Sequence, residues 1–285
     1  MAKKILVIGA NGMLGHTLLA YLNSIEEAEV YFTSRDSRIN SLNHYFLELT
    51  DFESLNKIIK IINPNFVVNC AGVLVSDSET NVQTAIEINA LLPHRILDSI
   101  REDQTLIHVS TDCVFDGSQG WNDTSSKPNP KDFYGMSKSL GEIKNKKNCI
   151  TLRTSIIGFE TSNHKTGLIE WFINTKSKKV QGYANALWNG VTTLDLSIVI
   201  SEIIFSDKRY SGLIHISSRN YISKYELLKI INNQLNLAKI IVPDYTQISN
   251  KTLSPSDCIL NSLFPDDYQE MLDRYFQLYK KLVRQ

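Results

Sequence analysis

The sequence predicts an α/β fold, a doubly wound parallel sheet with a smaller C-terminal substrate lobe, and three observations carry that reading. Short β-branched runs alternate with amphipathic stretches through the first half of the chain, the first run leads straight into a glycine-rich turn, and the alternation fades beyond about residue 160. Repeated strand–helix–strand units need crossover connections, which place helices on both faces of a parallel sheet.

Taken in order, the strands are expected at 4–8, 29–33, 45–48, 66–69, 105–110 and 150–154. Most are continuous apolar runs such as Ile5-Leu6-Val7-Ile8, as strands buried on both faces require. Between them, apolar residues at helical spacing predict helices at 14–23, 51–62, 83–101 and 134–144. The second of these has readable ends: Thr50 can cap a helix beginning at Asp51, and Asn63-Pro64 stops it. The polar, proline-bearing stretch 117–132 reads as a loop at a carboxyl strand end, where open α/β sheets bind ligands. Later helices are expected at 168–175, 194–205, 224–235 and 266–283. The division that follows is a cofactor domain over 1–160, also receiving elements from about 191–217, and a smaller lobe from 161–190 and 218–285.

At 285 residues and 42% hydrophobic content, the chain can bury a large core. Lys plus Arg and Asp plus Glu both number 30, so no net field gathers nucleic acid or an anionic membrane surface, and a small-molecule ligand is expected. Cys70, Cys113, Cys149 and Cys258 form no C-x-x-C pair and no ligand cluster, which predicts no metal and reduced thiols in a cytoplasmic protein. The apolar run after Lys3-Lys4 is too short for a secretory signal, and no stretch approaches the roughly twenty apolar residues of a membrane span. The oligomeric state stays open, a homodimer included.

Gly9-Ala10-Asn11-Gly12-Met13-Leu14-Gly15 follows the first strand and opens the first helix. In that context glycines let the backbone turn tightly and approach a pyrophosphate, which the helix N-terminal amides favour; a Rossmann-type dinucleotide site follows. The first gap is one residue wider than in the common fingerprint. An NAD-preferring enzyme usually ends its second strand on a carboxylate, whereas here the residues are Thr33-Ser34-Arg35, with Asp36 late. Arg35 can pair with a 2′-phosphate, so NADP(H) is expected. NAD(H) stays the alternative, with Arg35 then a solvated surface charge.

Tyr134 and Lys138 stand at i and i+4 and share a helix face, where an ammonium can tune a phenol toward acid–base work. Tyr225 and Lys229 have the same spacing, so the spacing alone decides little. What sets Tyr134 apart is Thr111, 23 residues earlier in the strand-end segment Val109-Ser110-Thr111-Asp112-Cys113-Val114-Phe115.

The glycine turn, Asn69-Cys70-Ala71-Gly72, the segment from Ser110 to Gly117, Tyr134-Gly135-Met136-Ser137-Lys138 with Gly141-Glu142, and Leu152-Arg153-Thr154-Ser155 together resemble the extended short-chain dehydrogenase/reductases. The resemblance is strongest to the dTDP-4-dehydrorhamnose reductase-like enzymes of nucleotide-sugar biosynthesis. It implies reduction of a 4-keto nucleotide sugar for cell-surface polysaccharide precursors, with Tyr134 the proton donor, Lys138 on the nicotinamide ribose and Thr111 on the substrate carbonyl. It also implies that Gly9, Asn11, Gly12, Met13, Leu14, Ala71 and Gly72 line the cofactor, and that Asn89 is a structural asparagine. Sugar-nucleotide dehydratases carry a glutamate where this chain has Cys113, which disfavours dehydration. Related epimerase-reductases use a cysteine there, so Cys113 with a histidine such as His164 could add epimerisation; the plainer reading is a small buried residue. Thr154-Ser155-Ile156-Ile157 lacks the tryptophan usual in rhamnose-type reductases, and the sugar is left open. Trp188 and Asn189 are candidate substrate residues. A non-catalytic NADP-binding regulatory subunit, like that of methionine adenosyltransferase, is the remaining alternative.

Overall fold

The computed structural model describes residues 2–161 and 166–283. The first half runs β1 (Lys3–Ile8), α1 (Met13–Leu22), β2 (Ala28–Ser34), β3 (His44–Phe46), α2 (Phe52–Ile62), β4 (Phe66–Asn69), α3 (Val75–Thr80), α4 (Val82–Ala85), α5 (Leu92–Ser99), β5 (Thr105–Thr111), α6 (Phe133–Leu140) and β6 (Cys149–Thr154). There follow β7 (Ile156–Ile157), α7 (Leu168–Asn174), β8 (Lys179–Trp188), β9 (Val191–Thr192), α8 (Thr193–Phe205), β10 (Gly212–His215), β11 (Ile222–Ser223), α9 (Lys224–Gln234), β12 (Ile240–Asn250) and α10 (Tyr268–Val283).

Seven parallel strands form the central sheet in the order β10-β6-β5-β4-β1-β2-β3. The order reverses between β1 and β4, and such a reversal opens a crevice beyond the carboxyl ends of the strands. Side chains alternate across the sheet. Ile5 and Val7 join Leu14, Leu18, Val199, Leu272 and Tyr275 in one core cluster, while Leu6 and Ile8 join Leu55, Ile59, Leu92 and Ile96 in the other. A second sheet, ordered β11-β8-β12, lies in the later part of the chain.

Local chemistry explains most boundaries. Asp51, not Thr50, caps α2: its carboxylate accepts the Ser54 N–H at 3.0 Å and also the Ser54 hydroxyl, a charge-assisted cap. Asn63 ends the same helix in the left-handed region, as short amide side chains tolerate. The single helix expected over 83–101 is broken by a π-helical turn at Ile86–Leu91. The helix carrying Tyr134 stops at Leu140, short of the expected 144, and the next residue, Gly141, packs so closely on Asn89 O that a Cβ there would collide with it. All six strands from β7 to β12 lie outside the expected set. β12 is largely exposed or half-buried along its length, so it lacks the buried apolar run or the clean alternation that would mark a strand. Among the described residues, no helix is long and apolar enough to cross a membrane.

Candidate active site

The glycine turn lies at the carboxyl end of β1, at the reversal point of the sheet. Gly9 has φ +82°, and a side chain there would press on the Ala71 backbone at 3.0 Å. Gly15 packs against Gly9 O with no room for a Cβ, which brings the start of α1 onto the turn. Gly12 is the N-cap residue of α1 and offers no side-chain cap, and no acidic residue stands in the first turn. The first amides of α1 therefore remain available to an anionic ligand. Leu14 is buried in the core, so its contribution to the crevice is a backbone N–H; Met13 is half-buried and Asn11 exposed. The Asn11 carbonyl accepts the Thr161 hydroxyl at 3.0 Å.

The tip of β2 adjoins this turn, since the Ala10 N–H donates to Thr33 O at 3.2 Å. Ser34 is buried, its hydroxyl paired with His44 at 2.9 Å. Asp36, the nearest carboxylate, is gripped by both donors of the Arg38 fork at 2.8 Å, and these bonds hold it down to about 2. Arg35 stands exposed beside it. The carboxylate that could have met a ribose is thus engaged, and a guanidinium is left facing solvent.

Across the crevice, β5 ends on Thr111 and α6 begins with Phe133. Asp132 caps α6 by accepting the Gly135 N–H at 2.7 Å, and Gly135 fits tightly against Cys113 O and Pro130, so the helix start is fixed to the strand tip. This sets Tyr134 at the tip of β5, where its phenol is close enough to feel Thr111, whose hydroxyl donates to Asp112 at 3.1 Å. One turn on, Lys138 is almost wholly buried and its ammonium donates to Val109 O at 2.7 Å. Its Nζ would lie 3.9 Å from a Cβ placed on Gly72, the residue following buried Ala71. Thr111, Tyr134, Lys138, Gly72 and the glycine turn therefore share one crevice.

Burial dominates the electrostatics of the cluster. It raises the Tyr134 pKa well above the ordinary phenol value, so the phenol keeps its proton at neutral pH. Burial also pulls the Lys138 ammonium down to about 8, against the opposing pull of Glu142. Cys113 is pushed up to about 12, again chiefly by burial, so it remains a thiol. His164 lies outside the described residues.

Behind β5 a buried network holds the cluster in place. Arg153 is 0% exposed; its guanidinium donates to both carboxylate oxygens of Glu142, at 2.8 and 2.5 Å, and packs 5.0 Å from the Phe115 ring. Glu142 also accepts the Ser110 hydroxyl at 2.9 Å, and Arg153 reaches His215 at 3.0 Å. Asn89, within the π turn, accepts the Val73 N–H at 2.8 Å and donates to Val73 O and to Ser137 Oγ, each at 3.0 Å. It thereby ties the segment after Gly72 to the helix that carries Tyr134 and Lys138. The extra residue of the π turn belongs to a helix whose amide side chain bridges a loop and a second helix.

The substrate role expected for Trp188 and Asn189 is not supported. Asn189 is 4% exposed, donates to Ser218 O at 3.1 Å and to Leu253 O at 2.8 Å, and accepts the Leu253 N–H at 3.0 Å. Trp188 is 8% exposed, donates to Ser155 Oγ at 2.9 Å and packs on the Tyr268 ring at 5.5 Å. Their hydrogen-bonding groups are committed to the protein itself. The sequence reading missed the Glu142–Arg153 pair: each is a single charged residue whose partner comes from another element, and no spacing rule exposes such a pair.

Comparison with known proteins sets this geometry in context. A family model described as the RmlD substrate binding domain matches residues 3–261. Similar sequences include the spore coat polysaccharide biosynthesis protein SpsK of Bacillus subtilis, 26% identical over 96% of this chain and 97% of that protein. Methionine adenosyltransferase 2 subunit beta of Danio rerio is 25% identical over 82% of this chain and 75% of its own length. A dTDP-4-dehydrorhamnose reductase of Aggregatibacter actinomycetemcomitans is 26% identical over 84% of this chain and 81% of that protein. Among solved structures, dTDP-4-dehydrorhamnose reductase from Bacillus anthracis in complex with NADP superposes with a TM-score of 0.82 at 23% identity, covering 97% of this chain and 99% of that one. The matched span takes in the glycine turn, the Thr111–Tyr134–Lys138 cluster and much of the later sheet, and the chain belongs to the RmlD substrate binding domain family.

Proposed function

We propose that this protein reduces a 4-keto nucleotide sugar with NADPH in the synthesis of cell-surface polysaccharide precursors. The observation that carries the reading is the convergence of Thr111, Tyr134 and Lys138 beside the glycine turn. The names of the Bacillus subtilis and Aggregatibacter relatives, a polysaccharide biosynthesis protein and a dTDP-4-dehydrorhamnose reductase, support it. The cofactor fits the residues present: the uncapped start of α1 suits a pyrophosphate, and Arg35 suits a 2′-phosphate where Asp36 is already taken by Arg38. We assign the cofactor to 1–160 with the elements of 191–217, and the sugar nucleotide to the lobe built from 161–190 and 218–285. A reducing cytoplasm suits the four unpaired cysteines.

When bound, the nicotinamide supplies a hydride to the carbonyl carbon. Tyr134 donates to the carbonyl oxygen, and Thr111, once its hydroxyl turns from Asp112 toward the substrate, adds a second donor, so the negative charge that grows there meets two hydroxyls. Tyr134 then releases its phenolic proton to that oxygen, and the ketone becomes a secondary alcohol. Lys138 holds the cofactor ribose, and its positive charge beside Tyr134 steadies the phenolate left behind. That charge is present below about 8 and lost above it. Accordingly, kcat/KM for NADPH is expected to fall as the pH rises through about 8; a profile flat from neutral pH to 10 on the order-of-magnitude scale of a lysine titration would remove Lys138 from this role.

The direct test is oxidation of NADPH and of NADH by the purified protein with dTDP-, UDP-, GDP- and CDP-linked 4-keto sugars. Turnover with at least one of them, faster with NADPH, is the expected result. The similarity to methionine adenosyltransferase 2 subunit beta makes a regulatory subunit the competing reading. Tight NADPH binding with no turnover on any of these sugars would favour it.

A further inference from the structure

The later part of the chain grips the glycine turn by its carbonyls. The Thr161 hydroxyl donates to Asn11 O at 3.0 Å. The next carbonyl, Gly12 O, accepts two bonds from His16, the backbone N–H at 3.2 Å and the ring Nδ1–H at 2.9 Å. The other ring nitrogen, Nε2, lies 2.8 Å from the Tyr279 hydroxyl of α10, 263 residues along the chain, and the two rings meet edge to face. Tyr279 is itself packed against Phe159, with ring centroids 4.9 Å apart, and against Tyr275, at 5.3 Å. The Tyr275 hydroxyl accepts the Phe159 N–H at 2.7 Å. An aromatic cluster distant in sequence thus sets the orientation of one imidazole on the helix that opens the cofactor crevice.

These partners fix the hydrogens on the ring. A carbonyl can only accept, so Nδ1 carries the hydrogen, and in the neutral ring Nε2 accepts from the Tyr279 hydroxyl. Burial lowers the His16 pKa against the opposing pull of Gly12 O, and burial is also the main cause that pushes Tyr279 up to about 12, so both groups are uncharged at neutral pH. The other polar side chain beside Nε2, the Thr17 hydroxyl at 3.4 Å, is uncharged as well. His16 therefore offers an anion no charge and a substrate no free acid or base. Its two nitrogens are committed to holding a carbonyl and to being held.

That carbonyl controls the first donor of α1. Gly12 C=O and Met13 N–H belong to one planar peptide unit, and the described chain has no cis peptide, so the two groups point in opposite directions. Gly12, at φ −76° and ψ 169°, has no side chain to limit rotation of the peptide that follows it. Drawing its oxygen back along α1 keeps the Met13 N–H turned out of the helix start, where it has no intrahelical acceptor. A bond accepted at the carbonyl also strengthens the donor at the other end of the same amide. The preceding amide is not available, since Gly12 N–H already donates to Gly9 O at 3.0 Å. We propose that His16, anchored by Tyr279, is a positioning residue for the cofactor, holding the Gly12–Met13 peptide so that the Met13 N–H meets the dinucleotide pyrophosphate. The inference rests on the assignment of the dinucleotide to the glycine turn.

The test is calorimetric titration of the full chain with NADPH and with adenosine 2′-phosphate, which carries the adenine and the 2′-phosphate but no pyrophosphate. His16→Gln sets an amide where Nε2 stood and abandons Gly12 O. It is expected to weaken NADPH by about 3- to 10-fold, the span of one neutral hydrogen bond, and to leave adenosine 2′-phosphate at the wild-type level. Tyr279→Phe keeps the ring against Phe159 and loses only the hydroxyl, so its loss is smaller and again confined to NADPH. His16→Asn sets its amide nitrogen where Nδ1 stood and should lose no more than Tyr279→Phe. Wild-type NADPH affinity in His16→Gln overturns the proposal, as does His16→Asn binding as weakly as His16→Gln. A parallel loss of both ligands overturns it too, because that marks a general loosening of the domain. A wild-type protein that does not bind NADPH overturns it together with the cofactor assignment. Because binding is read without turnover, failure of the reductase reading shows separately, as variants that rank in the expected order in a protein that reduces no keto sugar.

Discussion

Tyr134→Phe is expected to lower kcat by about 10²- to 10⁴-fold, the usual worth of a positioned proton donor. The substitution removes one oxygen and leaves the ring, the Asp132 cap of α6 and the Lys138 bond to Val109 O in place. NADPH affinity and thermal stability should therefore match the wild type. The measurement is steady-state NADPH oxidation with the best keto sugar nucleotide, beside a fluorescence titration of the cofactor. Normal turnover in the phenylalanine protein would mean that another group delivers the proton, and the site would have to be reassigned.

The second large effect is on stability. Arg153→Met leaves the Glu142 carboxylate buried with its principal partner gone, and should cost about 3–5 kcal/mol in denaturant unfolding. Glu142→Gln should be damaging for the mirror reason, an unpaired guanidinium in the core. The pair does not add that much in absolute terms, because taking two charges out of water offsets most of their attraction. Replacing both together, Arg153→Met with Glu142→Leu, should accordingly cost less than Arg153→Met alone. If the double variant is the least stable of the three, the network around Ser110 and His215 matters more than the pair. Burial raises the Glu142 pKa, but the Arg153 bonds outweigh it and the net shift is downward. Its stabilising share is thus present above the ordinary carboxylate range and lost as pH falls below it.

The central sheet was legible because buried parallel strands and their crossover helices leave long apolar runs with fixed periods. Strands β1, β4 and β5 lie within a residue of their expected limits for that reason. β12 was invisible because half-exposed strands mix polar and apolar residues without period, and its existence depends on pairing with β8. The helix over 83–101 was read as continuous because its apolar spacing continues through the π turn; only the reach of Asn89 to Val73 and Ser137 reveals the extra residue. Trp188 and Asn189 were attractive as a ring and an amide near the expected substrate lobe, and residue type says nothing about whether those groups are already hydrogen-bonded.

What the residues alone determined was local chemistry: a turn that only glycine can make at Gly9, a helix face shared by Tyr134 and Lys138, and an uncapped helix start suited to an anion. Those properties follow from bond geometry and short spacing, so they can be read along the chain. The fold decided which distant groups meet: Asn89 with Ser137, Glu142 with Arg153, and Arg153 with His215. Charge and proton affinity in this crevice depend on burial and on neighbours from other elements, and these exist only once the chain has packed.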